Sequence, residues 1–398
     1  MGIRALELAR ALHEEGFDVR LLTGNDAREA AEVAGPVAVT AAPPEGLASA
    51  ARGVDAAVVS GHAANWWLHQ LPDVPVAADL YDPFPIENLH YAPALGERTA
   101  RHDRETLSLA LARADFFLCA SEEQRLFYAG ALYERGRIGP RNFPEDPTLS
   151  RLLTVVPFGV PRKPAKGDRA AGRAAAGVPP EGPLLLFGGI YDWYEPGLLL
   201  EAWPSVLARQ PRAKLLFFEN PNPETTPQGV YARARERARA ADPEGRSIFF
   251  SPWLPYQARE DLYAAVDLAV SIASPGLETD LAYRTRLLDA AWGGVPSISV
   301  GGGALARALE LAGAAAAAEP SPSSLAGAIS ALLEDSGRRA RLAQAARSFA
   351  SKRTWGAMAA PLAAWCREAR IDPGRLPFPS SSVRPLWKRI GRVFSGRL

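Results

Sequence analysis

Cysteine is scarce: Cys119 and Cys366 are the whole complement of 398 residues, too few for a disulfide framework or a cysteine-based zinc cluster. A reducing, cytoplasmic setting is the expectation for such a chain. Charge of one sign is missing as well. Forty-five basic residues meet 44 acidic ones, so the net charge of +1 offers no global field for nucleic acid or an acidic polymer. No apolar run reaches the roughly 18 residues that span a bilayer. The opening MGIRALELARALHEEG meets charges every few residues, unlike a signal peptide. LELAGAAAAAEP is short and broken by Glu310 and Gly313, and reads as a helix end and a strand edge. No strand leads into a full Gly-x-Gly-x-x-Gly, which argues against a dinucleotide-dependent dehydrogenase. No Asp-x-Asp pair stands in a suitable loop, so no metal is expected.

What is present is ordinary globular material, 47% apolar and 22% charged, long enough for two α/β domains. Helical spacing in IRALELARALHEEG is followed by the short strand DVRLL. VDAAVVSG, VPVAADLYD, ADFFLCAS and LTVVPFGVP are further apolar runs that end in polar loops, the third followed by a helix from Glu122. Residues 161–182, rich in Pro, Gly and charge without apolar rhythm, read as a linker. Alternation then resumes with PLLLFGGI, helix 196–208, AKLLFFEN, helix 228–241, SIFFSPW, helix 257–265, LAVSIAS, helix 281–292 and PSISV. Such alternation implies parallel sheets covered on both faces, in two successive domains. A parallel domain normally opens with a strand and a glycine turn. Here Gly2 and a helix come at once, which points to a truncated start or a first strand drawn from elsewhere.

Several residues carry chemistry. GLETDLAYRTRLLDAAWGGVPSISVGGG, 276–303, places acids and arginines around a helix start near Thr279 or Asp280, either able to act as N-cap. A helix N-terminus and the planar forks of Arg284 and Arg286 suit phosphate oxygens. The plainer alternative pairs Arg286 with Asp289 across one turn and leaves Arg284 solvated. Glu278 suits sugar hydroxyls or the anomeric centre, or is a solvated loop residue. Gly188 and Gly189 end a strand at the side where open α/β sheets hold ligands, followed by Asp192, Trp193 and Tyr194. The aromatic pair Trp193 and Tyr194 can stack on a base or sugar, or pack between domains. In the first half, His62 follows a strand in SGHAANWW and can position a hydroxyl; the plainer alternative is a surface histidine. Asp82 precedes Pro83 and is biased to extended geometry, so it can serve as a general base; Asp79 can simply cap a turn.

The order of these blocks resembles the GT-B glycosyltransferases, and LLDAAWGGVPSI (287–298) resembles the second half of the Glu-x7-Glu segment of family 4, with Asp289 where the second acid is expected. SEEQRLFY (121–128), VVPFGVP and WLPYQAREDLYAAVDLAVSIAS (253–274) are similar to that family's N-domain turn, hinge and penultimate strand–helix–strand, and GIYDWY, DLYDPF and ETDLAYRTRLLD to blocks of a bacterial subgroup. The resemblance covers nearly the whole chain. It implies two Rossmann-like domains facing across a cleft: 1–160 for the acceptor, linker 161–182, 183–350 for the donor, a helix 351–372 crossing back, and a basic tail 373–398. It implies Asp289 on the ribose hydroxyls, Gly2 as the tail of a phosphate-side glycine loop, and a nucleotide-diphosphate sugar as co-substrate with no other cofactor. Departures are clear: no basic residue lies between Leu184 and Arg209, where the family offers an Arg and a Lys, and an Asp stands where its N-domain histidine belongs.

The expected function is therefore sugar transfer to a glycan or lipid-linked acceptor in cell-surface polysaccharide assembly, with retention because the family it resembles is a retaining one, in which the departing phosphate can take the proton. An inactive GT-B scaffold or partner subunit and a sugar-nucleotide epimerase are the alternatives. The tail RPLWKRIGRVFSGRL (384–398) has five basic residues, no acid, and apolar residues at helical spacing. It can lie on an anionic membrane, at the inner face, or remain a soluble tail.

Overall fold

The computed structural model describes residues 2–24, 26–43, 46–70, 73–224 and 226–377; of the expected basic tail, residues 378–398 lie outside the described residues. The chain divides into two compact units: residues up to Phe158 together with the segment from Trp355, and Gly159–Thr354.

In the second unit six parallel strands form one sheet. They are β7 (Leu184–Gly189), β8 (Lys214–Phe218), β9 (Ile248–Ser251), β10 (Leu268–Ile272), β11 (Ser297–Val300) and β12 (Ala315–Ala317), in the order β12-β11-β10-β7-β8-β9. β7 is buried at every position, as suits a strand covered by helices on both faces. One core gathers Leu185, Phe187, Trp203, Leu215, Phe217 and Ile298; a second, on the other face, gathers Leu184, Leu216, Leu262, Tyr263 and Ala290. The strand order reverses between β7 and β10. The carboxyl ends of strands at such a reversal are where open α/β sheets hold ligands.

Residues expected as a linker contain the helix Arg169–Ala175, packed on the helix Arg259–Ala265. Asp168 caps it by accepting from Ala171 N, 2.7 Å. Glycine makes the approach possible. A Cβ at Gly167 would stand 2.0 Å from Glu260 O, and one at Gly172 2.0 Å from Asp261 O. The expected helix 281–292 is also different. It is two helices, Leu277–Leu281 and Thr285–Gly293, with Gly276 and Arg284 at their N-caps in place of Thr279 or Asp280.

The first unit holds a four-stranded parallel sheet in the order β3-β4-β5-β6 and a separate parallel pair, β1 (Arg20–Thr23) with β2 (Ala38–Ala41). The four are β3 (Ala57–Ser60), β4 (Val76–Asp79), β5 (Phe116–Cys119) and β6 (Leu153–Val155). The helix Gly2–Glu14 packs against both sets: Leu8 and Leu12 with Phe116 and Leu118, Leu6 and Ala9 with Ala34 and Val37. The helix Trp355–Arg367 joins the first of these clusters through Trp355 and Leu362. Ser121 caps the helix Glu122–Glu134 by accepting from Gln124 N, while the Gln124 side chain bonds Ala120 N and Tyr81 O, tying the ends of β4 and β5.

Candidate active site

At the end of β7 the pairing with β8 slips between Leu186 and Gly188, and the register skips Phe187. Its carbonyl instead accepts from Arg286 Nη1, 3.2 Å away. Gly188 has φ +89°, and a Cβ there would meet Arg286 Cδ and Nη1 at 3.3 Å. Glycine thus answers two needs at once, the left-handed backbone and the room for a guanidinium. The sequence places Arg286 near this turn only by chemistry; the fold brings it to within contact.

The loop after β7 crosses to β10. Glu195 N donates to Ile272 O at 3.1 Å, Tyr194 bridges to Ala273, and Ser274 Oγ donates to Glu195 at 2.6 Å. Tyr194 is buried here, with the Arg286 guanidinium 4.3 Å from its ring centroid and that of Arg284 4.9 Å. Beside it Tyr191 and Trp193 stack in parallel at 5.1 Å. Trp253, beyond β9, is exposed, and its ring would lie 2.9 Å from a Cβ at Gly189.

Glu278 and Arg284, expected on the sugar and the diphosphate, face each other. The fork is bidentate, Nη1 to Oε1 at 2.8 Å and Nη2 to Oε2 at 2.6 Å, with both side chains 5% exposed or less. Thr279 Oγ1 joins them and donates to Ser274 O. This is a buried pair that orders the β10 exit. Asp289 does not pair with Arg286 across its turn; it faces Arg259 Nη1 at 3.6 Å, and Arg259 lies between the rings of Tyr256 and Trp292. Asp192 accepts from Val230 N at 3.2 Å, at the start of the helix Gly229–Ala241, where a carboxylate offsets the positive end of the dipole.

In the first unit, Asp79 is not available as a base. Arg4, 1% exposed, binds it through Nε at 2.6 Å and Nη2 at 3.0 Å, and donates also to Val156 O and Pro157 O. The Arg4 guanidinium lies 4.9 Å from the rings of both Tyr81 and Phe158. Asp82 is half-buried beside Tyr81, whose pKa is raised by burial first and then by Asp82 and Asp79. His62 is the second residue of the helix Gly61–Gln70, not part of a loop, and its side chain lies outside the described residues. Gly2 opens the helix Gly2–Glu14 with space where a Cβ would sit, so the described fold demands no glycine there. Among the described residues no group of three or more His, Cys, Asp and Glu is placed to hold a metal, and no helix is long and apolar enough to cross a membrane.

Sequence reasoning did not single out Arg259, whose partners Asp289 and Trp292 lie 30 or more residues away; it placed Arg4 only beside Gly2 and Tyr194 only in an aromatic pair, without their partners.

No protein-family model and no curated protein matches the sequence. Solved structures match its fold. Sucrose-phosphate synthase from Thermosynechococcus elongatus superposes with TM-score 0.62 and 16% identity, covering 91% of each chain. Anabaena Alr3699/HepE in complex with UDP-glucose gives TM-score 0.66 at 16% identity over 92% of this chain and 95% of that one. WaaG, a glycosyltransferase involved in lipopolysaccharide biosynthesis, gives 0.58 at 16% over 92% and 95%. The fold is GT-B, built of two Rossmann-like units.

Proposed function

We propose that this chain is a glycosyltransferase that takes a sugar from a nucleoside diphosphate donor bound on the second unit. The observation that carries the reading is the β7 exit: a left-handed Gly188, at the reversal of strand order, with the Arg286 guanidinium against it. A diphosphate leaving group needs donors and positive charge, and Arg286 supplies both where the backbone allows close approach. It takes the place of the Arg and Lys absent after β7. Asp289, half-exposed one turn on, suits the ribose hydroxyls, and Trp253 offers a face for the base. Likeness over more than 90% of both chains to a protein crystallised with UDP-glucose supports the choice of donor class.

The finer reading is family 4 chemistry with retention, the departing diphosphate taking the acceptor proton. On the first unit Asp82 and His62 are the groups offered to an acceptor hydroxyl of a glycan or lipid-linked sugar. The basic tail suits a membrane-borne acceptor at the inner face of a membrane. Glu278 and Arg284 serve by holding the β10 exit, and Asp192 by fixing the neighbouring helix.

The test is isothermal titration of UDP and other nucleoside diphosphates into wild type and Arg286→Ala. Loss of a charged hydrogen bond predicts about 10–100-fold weaker binding by the variant. Equal binding by both proteins removes Arg286 from the phosphate and the reading with it.

A further inference from the structure

The helix Thr285–Gly293 presents Arg286 and Asp289 three residues apart, about 4.5 Å along its axis. The Arg286 end lies at Gly188, and the Asp289 end meets Arg259 at the start of the helix Arg259–Ala265. Burial first, and then Asp289, push the Tyr263 hydroxyl pKa up while Arg286 and Arg259 oppose them, in keeping with three charges around one side chain. Diphosphate, then ribose, is the order in which a nucleotide would meet them.

Arg259 is restrained to an unusual degree. Its guanidinium carbon lies 3.8 Å from the Tyr256 ring centroid and 4.6 Å from that of Trp292. Trp292 is itself buried and donates from Nε1 to Lys163 O at 2.9 Å. A planar cation held between two rings cannot swing as a surface arginine does. Its side chain is 15% exposed against 31% for Asp289, so the carboxylate is the more accessible of the two. The 3.6 Å separation exceeds a hydrogen bond, and the attraction orients Asp289 by charge.

We infer that Arg259 is a positioning residue for ribose recognition: fixed between Tyr256 and Trp292, it holds the Asp289 carboxylate in the attitude that accepts the ribose hydroxyls of a nucleoside diphosphate. This rests on the donor reading above, and it adds what makes that site prefer a ribonucleotide.

The experiment titrates UDP and 2′-deoxy-UDP into wild type, Arg259→Met, Arg259→Lys and Asp289→Asn, with folding followed by circular dichroism. Wild type binds UDP roughly 10–100-fold more tightly than the deoxy form, the scale of a hydrogen bond to a charged group. In Arg259→Met that ratio collapses to within about threefold, as it does in Asp289→Asn, while affinity for 2′-deoxy-UDP stays within about twofold. Arg259→Lys keeps the charge without the planar stack and restores part of the ratio. A purely structural role would weaken both nucleotides alike. Full discrimination in Arg259→Met, or tighter binding of UDP, overturns the inference and leaves the donor site standing. A wild type that binds both nucleotides equally does the same. A wild type that binds no nucleoside diphosphate overturns the donor reading and this inference together.

Discussion

Glu278 and Arg284 sit six residues apart on either side of a helix break, and each spends its charge on the other. Removing one partner from a buried, bidentate pair leaves an unpaired charge in a dry place, which costs far more than the pair itself is worth. Glu278→Leu alone is therefore expected to destabilise the protein by about 3–5 kcal/mol in urea unfolding, while Glu278→Leu with Arg284→Met costs much less than the sum of the singles. Additive losses would mean that the two groups act separately. This pair shows where residue-level reading stops. An arginine and a carboxylate near a helix start look the same in sequence whether they await a ligand or hold each other, because both uses draw on the same chemistry. Asp289 stood out in the sequence as a candidate acid, but its neighbour Arg259 did not, since thirty residues separate them.

Strands were the most readable elements, because apolar runs bounded by polar loops survive without knowledge of their neighbours. PLLLFGGI, AKLLFFEN and SIFFSPW all lie in the second sheet. The helix Arg169–Ala175 was hidden for a physical reason: the residues it buries are Gly172, small enough to let backbones touch, and Arg173, so it shows no apolar rhythm. Asp242 illustrates how such elements are joined. It follows the helix Gly229–Ala241 and accepts from Arg246 N, Ser247 N and Ile248 N, fixing the turn into β9. Burial alone would raise its pKa, but those backbone donors outweigh it and hold the carboxyl below the usual range. The folded value thus lies under the unfolded one, near 3.9, so the stability it brings is present above that pH and is lost as pH falls through the folded value. Asp242→Asn is expected to cost about 1–3 kcal/mol at pH 7, with the gap between variant and wild type closing in acid. A gap that stays constant down to pH 2 would contradict the assignment.

For the whole molecule, the core around Trp203 lies in the second unit and the core around Phe117 in the first, with no shared residues. Two separate cores make a single two-state transition unsafe to assume. Calorimetry is expected to show two components, and UDP at about a hundred times its dissociation constant should raise the component of the second unit by roughly 5–10 °C. A shift confined to the other component would move the donor to the first unit. The two-domain architecture and the ligand side of the second sheet were visible in the βα alternation, whereas the strand order, with its reversal between β7 and β10, is encoded by no local pattern. The glycine contacts of Gly167 and Gly172 with Glu260 and Asp261 bear on how the protein can be taken apart. A recombinant second half that starts at residue 183 would strip a backbone-deep wedge from beneath its own sheet; the place to cut is before Gly159, not after the proline-rich stretch that looks dispensable.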